Sequence, residues 1–139
     1  MRKHSLTRKT KETDITVKIT LDGKGANNIN TGIGFLDHML DLWVFHSLFN
    51  LKLTCKGDLE IDTHHTTEDI AIALGSALDK AVGEKKGIVR YGFSYVPMDE
   101  ALLRVALDLS GRPEFVFSGE FIQSSIGNLD TQMIRHFFK

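Results

Sequence analysis

The sequence predicts an α+β fold: two units of sheet backed by helix, the second of them incomplete. Three observations predict it. Stretches such as Ile15-Thr-Val-Lys-Ile-Thr-Leu21 alternate apolar and polar residues, the period of a half-buried strand. Two longer segments, 32–49 and 63–83, place apolar residues at helical spacing. Two pieces of the chain also recur. VKITLDGKG (17–25) resembles VALDLSGRP (105–113), and FLDHML (35–40) resembles MIRHFF (133–138), which sets His38 against His136 at an offset of 98. The same offset places a counterpart of the HHTTED helix at about position 162, so the second copy reads as cut. The chain is expected to form one domain over residues 1–139, with a first repeat at 8–85 and a truncated second repeat at 86–139.

The elements follow in order. The strand 15–21 ends in a turn at Asp22-Gly-Lys-Gly25. GIGFLDHMLDLWVFHSLF is too long and too apolar for one strand, and Phe35, Met39, Leu42, Trp43 and Leu48 suit the buried face of a helix. Two short strands are expected at Leu51–Thr54 and Asp58–Asp62, where Leu59 and Ile61 alternate with acids. A second helix starts near Thr63, with Ile70, Leu74, Ala77, Leu78 and Ala81 recurring every three or four residues. Asp62 or Thr63 supplies its cap. Gly83 stops it, and Lys80 sits in the last turn, where a cation suits the carbonyl end. Strands are expected at Val89–Tyr95, Ala101–Leu109 and Glu114–Ser118, and a helix begins at Thr131.

Composition bounds the function. Of 139 residues 42% are hydrophobic and 25% charged, and the formal charge is −1, which gives no global electrostatic argument for nucleic acid or an anionic membrane. No apolar run approaches the roughly 20 residues that span a bilayer. The single cysteine, Cys55, forms no internal disulfide and reads as a strand residue, not a nucleophile. The polar N-terminus lacks the apolar core of a signal peptide. The chain is therefore expected to be soluble and cytoplasmic.

The chemistry lies in DTHHTTEDI (62–70). Successive helical residues point about 100° apart, so His64 and His65 do not easily share one ion. His64 and Glu68 stand at i and i+4 on one face, an imidazole and a carboxylate at the spacing of a metal half-site. His65 points elsewhere, toward Asp69. A nitrogen and oxygen set without thiolate suits manganese, iron or zinc. The plainer account is two histidines in a polar turn. His38 lies inside the apolar helix, where a neutral core histidine is the ordinary explanation; Asp37 beside it has the chemistry to orient an imidazole. His136 is the same kind of residue in the second copy, and His4 is read as solvated.

TGIGFLDHML, GDLEIDTHHTTEDIAIALG, RYGFSYVPMDEALLRVALDLSGRP and RHFFK together resemble the imidazoleglycerol-phosphate dehydratases of histidine biosynthesis, in order and from about Arg8 to Lys139. The resemblance implies a duplicated fold like the second domain of ribosomal protein S5, two manganese ions per active site, and a homo-oligomer of 24 subunits with sites between subunits. It implies loss of water from a phosphorylated imidazole, imidazole glycerol phosphate, to give imidazole acetol phosphate by way of an imidazolate held between the two metals.

By motif, His64 and Glu68 would ligate one metal and His65 the other, with His38 and His136 as further ligands. Glu12 would handle protons at the substrate, with Asp99 as a second acid or a structural cap. Arg90 and Arg112 would grip the phosphate, since a guanidinium offers a planar fork to its oxygens. His46 would lie on the substrate side, along with the ligands and Glu12. Without the resemblance, Glu12 reads as a solvated charge and the two arginines as surface residues at strand ends. This sequence departs from the family's pattern in having no second HHxxE and no FKA-type phosphate segment, so the 139-residue chain by itself is expected to be inactive and poorly folded. Two rivals stand beside this reading: a manganese- or zinc-dependent hydrolase, and a non-catalytic S5-like binding module.

Overall fold

A computed structural model describes all residues 1–139. In chain order the elements are β1 (Lys3–Lys9), β2 (Thr13–Thr20), β3 (Asn27–Asn30), α1 (Gly34–Ser47), β4 (Asn50–Gly57), α2 (His64–Val82), β5 (Tyr91–Met98), β6 (Ala101–Asp108), β7 (Ser125–Ile126), β8 (Leu129–Asp130) and α3 (Gln132–Phe138). The class is α+β. The chain forms two compact units, one made of Met1–Val82 with Phe115–Lys139 and the other of Gly83–Glu114.

The larger unit holds a four-stranded sheet of order β1-β2-β4-β3, antiparallel except for the β3–β4 pair. Ile15, Val17 and Ile19 of β2 lie across from Cys55, Leu53 and Leu51 of β4. All but the half-buried Cys55 are fully buried, while Asp14, Lys18, Lys52 and Thr54 face water. The period of two thus gives one core face and one wet face. Two strands of this sheet escaped the sequence reading, as did the short β7 and β8. β1 is the polar KHSLTRK, whose alternation brings only Leu6 against the core, and β3 is just four residues long.

Helix α1 buries a different face from the one expected. Leu36, Leu40 and Val44 point inward at i, i+4 and i+8, whereas Met39, Leu42 and Leu48 are 46%, 38% and 59% exposed. Phe35 and Trp43 are half-buried. The helix is apolar on most of its surface, so spacing alone admits several phases. Leu48 ends it in the left-handed conformation, with φ 59°.

The expected strand at Asp58–Asp62 is a turn instead, closed by Ile61 N donating to Asp58 O at 2.9 Å, with Ile61 69% exposed. Gly57 explains where β4 must stop. A Cβ there would collide with Thr66 Oγ1 in the first turn of α2, so the strand and helix touch through a bare backbone. Helix α2 meets expectation. The Asp62 carboxylate accepts from His64 N at 2.7 Å, Ile70, Leu74, Ala77 and Ala81 are buried with Leu78 half-buried, and Gly83 leaves at φ 68°.

The expected strand at Glu114–Ser118 is also absent. Phe115 stacks on Phe138 at 6.1 Å between centroids and Phe117 on Phe121 at 5.8 Å, while Arg135 lies over Phe117 and donates to Gly119 O at 2.9 Å. These residues are anchored by ring packing, not by a ladder. The short β7–β8 hairpin then delivers Leu129 and Met133 of α3 into the core.

The smaller unit is one antiparallel hairpin, β5 with β6, in register from Tyr91–Asp108 to Met98–Ala101. Val96, Met98, Leu103, Val105 and Leu107 share one face, and every residue of both strands is exposed. Asp99 sits in its turn with φ 49°.

Candidate active site

The first turn of α2 carries the two histidines, and the structure gives each its own carboxylate. His64 Nε2 lies 3.2 Å from Glu68 Oε2 on the same helix face. His65 turns the other way, with Nδ1 2.9 Å from Asp58 Oδ2 at the end of β4. The two rings are 6.0 Å apart between centroids and inclined at 52°. The His65 partner was expected to be Asp69 and is not. Asp69 is buried toward the sheet, where it accepts from Arg8 Nε and Nη2 at 2.9 and 2.7 Å, from Thr13 Oγ1 at 2.5 Å and from Thr10 Oγ1 at 3.2 Å. Burial pushes its carboxyl up, yet the hydrogen bonds from Thr13 and Arg8 outweigh that and hold it below the usual range. Asp69 therefore ties α2 to β1 and β2.

α3 brings His136 alongside. Its ring centroid stands 5.1 Å from that of His64. His64 thus has Glu68 on its own helix and His136 of α3 as neighbours, and His65 with Asp58 is a separate pair. The imidazole of His65 is raised in basicity, first by its hydrogen bond to Asp58, against partial desolvation, and then by the charges of Asp58, Glu12 and Asp62. Glu12 is exposed in the β1–β2 turn and contributes to that field. No three His, Cys, Asp or Glu side chains in this structure converge as a closed metal-binding group.

The other candidates belong to other elements. His38 is not a core histidine. It is exposed on α1 and lines a shallow depression with Asn27, Ile29, Asp37 and Asp41. Asp37 does not orient it, because Asp37 Oδ1 accepts from Thr31 N at 2.8 Å and Thr31 Oγ1 at 2.6 Å and so closes the loop before the helix. His46 is exposed in the last turn of α1, edge-on to Phe45. In the smaller unit Arg90 grips Asp108 with two hydrogen bonds of 2.6 and 3.0 Å, and its guanidinium covers the Tyr91 ring. Arg112 and Asp99 are exposed there.

Comparison with known proteins decides the family. The family model described as imidazoleglycerol-phosphate dehydratase matches residues 31–139. The imidazoleglycerol-phosphate dehydratase of Acetivibrio thermocellus is 57% identical over 138 residues, 99% of this chain and 71% of the relative. The chain belongs to the imidazoleglycerol-phosphate dehydratase family.

The dehydratase of Nitrosomonas europaea is 54% identical over 139 residues, 71% of its length. Among solved structures, the dehydratase of Staphylococcus aureus superposes with TM-score 0.86 at 40% identity, covering 98% of this chain and 74% of that one. The Pyrococcus furiosus dehydratase, in complex with (S)-C348, gives 0.78 at 33% identity, covering 96% and 70%. The family is one of hydro-lyases, carbon–oxygen lyases of histidine biosynthesis. No helix of the structure is long and apolar enough to cross a membrane. Asp58 is the residue of this region that sequence reasoning did not place, hidden by the expected strand at 58–62, and Asp69, set against His65 by its i+4 position, pairs with Arg8 and Thr13 instead.

Proposed function

We propose that this chain carries half of an active site that removes water from imidazole glycerol phosphate, giving imidazole acetol phosphate, with manganese as cofactor. The observation that carries the reading is the pair of adjacent imidazoles, each already matched to a separate carboxylate. Nitrogen and oxygen donors without sulfur suit manganese. His64, Glu68 and His136 would hold one ion, His65 the other, and exposed His38 would serve a site shared with a neighbouring subunit. When bound, the two ions supply positive charge that stabilises electron density on the imidazole ring.

The chain's own residues do the rest. Glu12, exposed and close enough to act on His65, takes the hydrogen from the carbon next to the one that loses hydroxide; the enol then becomes a ketone. His46 lies on the substrate side. Arg90 and Arg112 bind the phosphate. The Arg90 pair with Asp108 is solvent-exposed, and exposed ion pairs contribute little to stability, so exchanging it for a phosphate costs little. Asp99, in the left-handed turn, is the second acid or a turn former. Exposed Met39, Leu42 and Phe45 on α1 support assembly into a cytoplasmic homo-oligomer, of 24 subunits by family resemblance.

By itself the 139-residue chain is inactive in this reading, and the apolar face of its β5–β6 hairpin is exposed. The test combines metal analysis with 31P NMR. Protein purified without chelator and equilibrated with manganese should retain the metal, and His64→Ala or Glu68→Gln should weaken that retention at least tenfold; equal uptake overturns the ligand assignment. With substrate present the chain alone should make no ketone and release no phosphate. Phosphate release would indicate a hydrolase, and ketone at a normal rate would overturn the claim of inactivity.

A further inference from the structure

Asp58 stands just past the end of β4, beside His65. Its Oδ2 lies 2.9 Å from His65 Nδ1, and that is the one hydrogen bond its side chain makes. Its other oxygen, Oδ1, is buried and has no hydrogen-bond partner. The side chain is only 18% exposed, against 49% for His65. A sequestered carboxylate with one donor holds that donor firmly, since losing it leaves a desolvated charge. Asp58 follows Gly57, whose backbone is packed against Thr66 in the first turn of α2, so the strand end that carries Asp58 seats directly on the histidine helix. His64 differs: its partner Glu68 is half exposed, on the same helix, and uses Nε2, not Nδ1.

An ionised carboxylate has no hydrogen to give, so the bond requires a hydrogen on Nδ1. In the neutral ring that leaves Nε2 as the nitrogen with a free lone pair. We propose that Asp58 is the positioning residue of His65, fixing its Nδ1–H tautomer and the direction of its ring so that Nε2 is the ligating atom. This rests on the reading of His65 as a metal ligand, and it follows the general rule that a ligating imidazole gives its other N–H to an anchored acceptor.

The test starts without metal. The 15N-histidine-labelled chain is recorded by long-range 1H–15N correlation at a pH where the ring is neutral. Wild-type His65 should carry its hydrogen on Nδ1. Asp58→Asn, whose amide oxygen still accepts, should keep that tautomer, and Asp58→Leu should return His65 to the Nε2–H form preferred by free histidine. A wild-type Nε2–H ring, or an unchanged tautomer in Asp58→Leu, overturns the proposal. If Asp58→Leu does not fold, the wild-type tautomer and the Asp58→Asn spectrum still decide. Manganese titration is the second arm: Asp58→Leu should lose roughly 10–100-fold in affinity and Asp58→Asn less. A tautomer that follows expectation while manganese affinity is equal in all three proteins supports the positioning role and overturns the ligand role of His65.

Discussion

At the scale of single residues, environment decides which groups react. Cys55 faces the core from β4; burial, then the nearby charges of Asp69, Asp14 and Asp58, push its thiol up to about 11. The thiolate is the nucleophile, so Cys55 in the folded chain should alkylate with iodoacetamide far more slowly at pH 8 than in denaturant. Similar rates would show that the strand opens readily. Asp22 is the opposite case. Hydrogen bonds from Arg2 lower its carboxyl to about 2 from 3.8. A depressed folded value means the contribution to stability is complete above the unfolded value and lost as pH falls through about 2. NMR titration of Asp22 should have its midpoint near 2, returning toward 3.8 in Arg2→Ala; an unaltered midpoint refutes the pairing. The histidine pair was legible because adjacency and i+4 spacing are facts of sequence. Asp58 was not, since seven residues and a turn separate it from His65.

Among elements, legibility followed amphipathicity. α2 has one apolar stripe, so its limits and most of its apolar core could be read off, with Ala73 and the buried Thr66 and Thr67 missed. α1 is apolar on most sides, and only packing fixes its phase. Leu40→Ala should therefore cost about 2–5 kcal/mol in denaturant unfolding, as cavity-forming changes do, whereas Met39→Ala should cost well under half of that. A reversal would mean the helix is rotated. The false strand at 58–62 arose because alternation over five residues also fits a turn with Leu59 tucked in. The bare contact at Gly57 makes a further prediction: Gly57→Ala should destabilise by about 1–3 kcal/mol, the range for overpacking, and should shift the His65 resonances. Silence at His65 would uncouple β4 from the site.

For the whole molecule, the contrast is between a unit with a sealed core and a hairpin without one. The repeat comparison aligns VKITLDG with VALDLSG, which sets Ile15, Val17 and Ile19 against Leu103, Val105 and Leu107. The first three are buried, while the second three are 61%, 41% and 61% exposed. An isolated two-stranded hairpin is marginal in water. Amide hydrogen exchange should thus be fast across Tyr91–Asp108 and slow in β2, β4 and α2; equal protection would show that the hairpin is covered. What the repeat could not reveal is where residues 115–139 go, because ring stacking and a two-residue hairpin leave no periodic trace.

That open hairpin also governs how the chain behaves in a test tube. The outer edge of β6 leaves the main-chain donors and acceptors of alternate residues without a strand partner, next to a row of leucine and valine, so any second molecule can extend the ladder by one strand. Loss of material on standing should then be bimolecular, faster in sulfate and slowed by dilution, and a lysine placed at Val105 should prolong the life of the stock.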